Sequence, residues 1–207
     1  NVIEEIKEIV NKGIKEVVIT GIHIASYGKD FKNGMGLIDL LEDLNKVLLR
    51  MCAEFRWEMC KRVQGARWND VSDPSLTSLF CDYLQFYRKN SDLSPEQKEK
   101  IKVTLTKCKQ NFKEYFIIDY MTYMLYESKG SPHMTKVART ILFHQCPLNV
   151  EMRTKLATHP IYKDILDRYR ILCGQKAHRT DNLIKKMEAK RLMVPDILYK
   201  EAEYWKK

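Results

Sequence analysis

The sequence predicts a mainly α protein, a multi-helix domain preceded by a short helix–strand–helix α/β fragment. Three observations carry that expectation. From residue 37 onward apolar side chains return every three to four positions, the period of an amphipathic helix. Helix starts are punctuated by Ser94-Pro95, Cys146-Pro147 with Asn149, His159-Pro160 and Val194-Pro195, where proline suits the first helical position. Only Val17, Val18 and Ile19 form the uninterrupted β-branched run of a strand covered on both faces.

The fragment comes first. Val2, Ile3, Ile6, Ile9 and Val10 recur at helical spacing, and Gly13 falls where a left-handed C-cap residue belongs. The strand, Glu16 to Thr20, follows and ends at Thr20-Gly21. A polar loop through Gly28, Asn33 and Gly36 leads to Leu37, Ile38, Leu40, Leu41 and Leu44, again at helical spacing. Helix, buried strand, loop and helix is the repeating unit of a parallel α/β sheet.

The stretch NVIEEIKEIVNKGIKEVVITGIHIASYGKD with the following GLIDLLEDLNKV resembles radical S-adenosylmethionine (SAM) methylthiotransferases, especially those that thiomethylate threonylcarbamoyl-adenosine in tRNA. The resemblance covers residues 1–47. It implies part of a barrel, a SAM cofactor beside Thr20, Gly21 and His23, and a [4Fe–4S] cluster held by a CxxxCxxC triad. No pair among Cys52, Cys60, Cys81, Cys108, Cys146 and Cys173 has that spacing, so no cofactor is expected in this chain and catalysis is not expected of it. The chain therefore divides, as an expectation, into an α/β fragment at 1–47 and an all-α domain at 48–207.

From Leu37 the helical pattern runs without a breaker to Gly65, crossing the place where the resemblance stops, with a break near Val47 to Met51 as the alternative. Residues 65–73 read as a loop, with Asp73 as N-cap and Pro74 opening a helix to about Asn90. The aromatic face of that helix, which includes Phe80, Tyr83, Phe86 and Tyr87, reads as core rather than as a stacking platform for bases. Ser94, Pro95 and Gln97 form a capping-box start for a long helix, basic at first and nearly all apolar from Tyr115 to Tyr126. Asp119 lies inside that apolar run, where it must face outward or be paired. Gly130-Ser131-Pro132 ends this helix and starts the next. The last third reads as short helices with Ile141, Leu142, Phe143, Leu156, Ile161, Tyr162, Ile165, Leu166, Tyr169 and Leu172 as core.

Composition limits the function classes. The 207 residues are 44% hydrophobic, enough for a core, and no apolar run approaches the length that spans a bilayer. The scattered cysteines read as free thiols in a reducing, cytoplasmic setting, and His133, His144, His159 and His178 complete no zinc pattern. No nucleophile elbow, metalloprotease helix or phosphate-binding glycine loop is present. Charge is uneven: the first 47 residues hold six Lys/Arg against eight Asp/Glu, so the net +9 leaves +11 on residues 48–207. It concentrates between Arg168 and Arg191, where Lys176, Arg179, Lys185, Lys186, Lys190 and Arg191 are the candidate nucleic-acid contacts. Two readings stand side by side: a methylthiotransferase-like fragment joined to a helical domain, and a helical binding or scaffold module that contacts RNA or another acidic partner. A merely solvated basic face is the alternative to the second.

Overall fold

A computed structural model describes residues 2–12 and 36–206 of the chain. The strand expected at 16–20 lies outside the described residues. Among those described, every element is a helix: α1 (Val2–Asn11), α2 (Leu37–Gln64), α3 (Leu76–Phe86), α4 (Pro95–Lys107), α5 (Phe112–Leu125), α6 (Lys136–Gln145), α7 (Val150–Leu156), α8 (Pro160–Ala189) and α9 (Asp196–Lys206). None of these is long and apolar enough to cross a membrane.

The core forms where α2, α3, α5, α6 and the first half of α8 meet. α2 lies along α5, α3 packs against α6, α5 and α2, and α6 packs on α8. Its centre is a run of rings. Phe116 is fully buried, with its ring centroid 5.2 Å from Trp57, 5.1 Å from Phe80 and 5.9 Å from Tyr120. The run continues through Tyr123 to Phe143, 5.1 Å apart, and on to Tyr162. The aromatic face of α3 is thus core, as its pattern indicates, with Phe80, Tyr83, Leu84 and Tyr87 all buried. Phe86, Ile161 and Leu172 are corrections: each sits on the flank of its helix and is 45%, 43% and 38% exposed.

α2 is a single helix that passes through Val47 without a break and ends where Gly65 takes a positive φ of 57°. Its charges pair both within the helix and across to α5: Arg50 reaches Glu54 at 3.1 Å and also donates to Glu114 at 2.8 Å, and Glu58 accepts from Lys113 at 2.7 Å.

Three helix boundaries differ from the sequence expectation. The N-cap of α3 is Ser75 rather than Asp73, because Ser75 Oγ accepts from Ser78 N–H while Ser78 Oγ accepts from Ser75 N–H, two orphan donors satisfied at once. The long helix begun at Ser94 is two helices. α4 ends in a Schellman motif, with Lys109 N–H on Thr106 C=O and Gln110 N–H on Leu105 C=O, and Lys109 and Gln110 in left-handed φ at 52° and 60°. Asn111 then caps α5 by accepting from Lys113 and Glu114 N–H. Finally, α6 begins not at Pro132 but after Thr135, whose hydroxyl accepts from Ala138 N–H. The starts read at Ser94, Asn149 and His159 are the observed N-caps of α4, α7 and α8, but α8, at 30 residues, is not one of the short helices expected of the last third.

Candidate nucleic-acid interface

The basic segment is built by α8 and α9, which pack side by side. The first half of α8 belongs to the core through Tyr162, Ile165, Leu166 and Tyr169; the second half buries Cys173, Ala177, Thr180 and Ile184, with Ala202 of α9 buried as well. The helix ends in a second Schellman motif, with Arg191 N–H on Glu188 C=O and Leu192 N–H on Met187 C=O, and with Arg191 at φ 53°. This turn brings α9 back along α8.

All six candidate contacts are exposed. At about 100° per residue, Arg179, Lys186 and Lys190 fall within ~40° of one another on the side of α8 away from its buried stripe, with Lys176 beside them. Lys185 is on a different side of the helix, about a quarter turn or more from that ridge. Arg191 follows just past its end. The structure therefore brings four of the six together and separates Lys185. Lys176 is also engaged, its Nζ lying 4.0 Å from the centroid of the Trp205 ring. Among the described residues none of the six has a carboxylate within 4 Å, whereas Arg168 pairs with Asp164 and Arg170 with Asp167. Unpaired cations retain their full field at the surface, the property a polyanion uses.

A second basic feature went unread in the sequence because its residues come from three helices. Arg153 of α7, Arg170 of α8, and Lys206 and Trp205 of α9 line a pocket of about 400 Å³. Arg153 stacks over Tyr169 at 5.0 Å, and its Nε is buried without a hydrogen bond. The other two cations are already neutralised: Arg170 Nη1 lies 3.4 Å from Asp167, and Lys206 Nζ lies 3.4 Å from both Asp181 and Glu203. The pocket is consequently a weaker anion site than the open ridge.

Asp119 is half-buried and unpaired. Its Oδ2 is occluded without a hydrogen bond, and no Lys or Arg among the described residues comes within 4 Å of its carboxylate. Burial pushes the carboxyl up to about 7, with Lys100 acting against this and Glu127 adding to it. The neighbouring Tyr83 and Tyr115 hydroxyls are raised by burial first and by the Asp119 charge second. The folded chain thus holds this proton more tightly than the unfolded chain does, so stability falls as pH rises from the ordinary carboxylate range through 7. Asp119→Asn is expected to leave Tm near wild type at pH 4 and to raise it at pH 8; equal melting curves at both values would show that Asp119 does not carry the strain.

Thr20, Gly21 and His23 lie outside the described residues. The cluster implied by the resemblance does not fit the residues present: the six cysteines are all free and dispersed, with Cys81, Cys146 and Cys173 buried, and among the described residues no three His, Cys, Asp or Glu side chains group as metal ligands. Burial raises the Cys81 and Cys146 thiols to about 11, the opposite of what a ligating thiolate needs. No reaction step is routed through a cluster. His159 caps α8, and His144 Nε2 is buried without a partner, its pKa lowered chiefly by burial.

Comparison with known proteins gives two kinds of match. A family model described as "Domain of unknown function (DUF8509)" matches residues 65–204, from the C-cap of α2 into α9. The tRNA-2-methylthio-N(6)-dimethylallyladenosine synthase of Fusobacterium nucleatum is 44% identical over 46 residues, 22% of this chain and 11% of the relative. That of Desulforamulus reducens is 47% identical over 47 residues, 23% of this chain and 10% of the relative. The threonylcarbamoyladenosine tRNA methylthiotransferase MtaB of Thermotoga maritima is 50% identical over 44 residues, 21% and 10% respectively. A segment of about a fifth of the chain is therefore similar to tRNA methylthiotransferases of both kinds, and the chain spans about a tenth of the length of these relatives. No solved structure matches.

Proposed function

Because the chain belongs to the family of the domain of unknown function DUF8509, whose match takes in α3 to α8 and most of α9, we propose that this helical unit is an RNA-binding module that lays the outer ridge of α8 on the phosphate backbone. One observation carries the reading. Arg179, Lys186 and Lys190 share one exposed ridge, with no carboxylate within 4 Å among the described residues, although several other cations of α8 and α9 are paired. RNA rather than another polyanion is favoured by the methylthiotransferase-like segment, since the relatives it matches are named for action on tRNA. No cofactor chemistry is assigned to this chain.

Such binding is sequence-tolerant, because a ridge of Lys and Arg contacts phosphates and reads no base edges. Fluorescence anisotropy with labelled tRNA and with an unrelated single strand, over a range of salt, measures it. Each phosphate neutralised adds about 0.7 to the salt slope on single strands, so the R179E/K186E/K190E variant is expected to bind at least ~10-fold more weakly and to lose about two units of slope. K185E, off the ridge, is expected to do far less. Tm is expected to stay within a few degrees, as for surface substitutions. No binding at low salt, or binding unchanged in the triple variant, would refute the proposal.

A further inference from the structure

α2 carries two faces. One buries Ala53 and Trp57 in the core, at 0% and 3% exposure. On the opposite side Leu41, Leu48, Phe55 and Met59 stand 53%, 55%, 65% and 39% exposed, and Asn45 and Cys52 are exposed between them. These six positions are spaced alternately by four and three residues, the repeat that keeps a stripe on one side of a helix facing a partner helix. The stripe runs about 27 Å at 1.5 Å per residue. Cys52, Phe55 and Met59 also form one wall of a groove of about 650 Å³ whose other walls include Leu76 and Tyr120.

We propose that this stripe pairs with the same stripe of a second copy of the chain, the two α2 helices running antiparallel. Charge selects both the partner and the direction. The first turns of α2 carry Asp39, Glu42 and Asp43, and the last turn carries Lys61 and Arg62. A parallel pair would set like charge beside like charge, whereas an antiparallel pair sets each acidic end beside a basic end. Glu42 and Arg56 fall on the same flank of the stripe. Among the described residues Glu42 has no cation within 4 Å, and Arg56, which lies over the Tyr120 ring at 5.9 Å, has no carboxylate within 4 Å, while Lys46, Arg50, Glu54 and Glu58 are ion-paired within the chain. In an antiparallel pair equivalent flanks meet, so Glu42 of one copy lies within reach of Arg56 of the other. The register that does this places Leu41 against Met59 of the second copy, Asn45 against Phe55, and Leu48 against Cys52.

The stripe is narrow, at the low end of specific interfaces, so association is expected in the micromolar range. Sedimentation of the full, nuclease-treated chain at roughly 10–100 µM is expected to show a dimer. L48E and F55E, both at exposed positions, are each expected to give a monomer with unchanged helical circular dichroism. Mild oxidation of L48C is expected to yield a dimer whose cross-linked peptides join residues 48 and 52. Three results would overturn the proposal: a monomer throughout, including one whose Cys52 resists a maleimide because the chain covers the stripe itself; a dimer indifferent to both L48E and F55E; or cross-links joining only 48 to 48 and 52 to 52, the signature of a parallel pair.

Discussion

Glu127→Ala is expected to lower stability by about 3–5 kcal/mol, the cost of breaking a buried ion pair from one side, and Tm by roughly 6–20 °C. Glu127 has no exposed surface. It lies in the short turn of helix after α5, and its carboxylate accepts from His133 N–H at 2.7 Å, from Met134 N–H at 2.8 Å, and from Arg139 Nε at 2.7 Å and Nη2 at 3.1 Å. Arg139 also donates to Met134 C=O at 3.0 Å and stacks over Tyr162. One carboxylate thus ties the end of α5 to the loop before α6 and to α6 itself. Removing it strands a guanidinium and two N–H groups away from water. Replacing Glu127 and Arg139 together by leucine and methionine is expected to recover part of the loss, because no charge is then left unpaired.

The same site sets an acid limit. Burial pushes the Glu127 carboxyl up, but the Arg139 guanidinium and the His133 and Met134 N–H groups outweigh it and hold the carboxyl below its ordinary value. Its contribution is accordingly complete above the unfolded value near 4.3 and is lost as pH falls through the lower folded value. The difference in Tm between wild type and the alanine variant is expected to be constant from pH 5 to 7 and to shrink below about 4. A difference that grows on acidification would contradict the assignment.

Phe116→Ala is expected to cost about 3–5 kcal/mol as well, through the lost transfer free energy of the ring and the cavity it leaves. The ring touches Trp57 of α2, Phe80 of α3 and Tyr120 of α5, so a single truncation loosens three helices at once. Chemical denaturation followed by circular dichroism measures it directly. A Phe116→Leu variant is expected to lose less, since it keeps most of the volume. A cost below about 1 kcal/mol for alanine would mean that the core collapses around the gap.

Much of the fold is written in local signals. Ser94, Asn149 and His159 were readable as helix starts because each cap is a contact within a few residues, decided by side-chain chemistry the sequence displays. Where a local signal was atypical, the reading failed. Lys109 and Gln110 end α4 in a conformation usually given to glycine, and nothing in their identity announces it. The candidate interface was half legible: the charge density of α8 is a sequence property, yet membership of the ridge depends on helix phase, which separates Lys185 from Lys186.

By itself, the sequence determined the helical class and the net charge of its helical part, because periodicity, capping and charge are properties of neighbours along the chain. Only the tertiary structure decided which charges are used up and which are free. Arg50 could have paired along α2 but also binds Glu114, 64 residues away; Arg139 is consumed by Glu127, while Arg179, Lys186 and Lys190 are left facing water. Asp119 could have been paired from another element and was not, which is why burial raises its carboxyl so far. The physical reason is the same in each case. The energy of a charge depends on its distance to other charges and to water, and those distances are set by packing between elements remote in sequence.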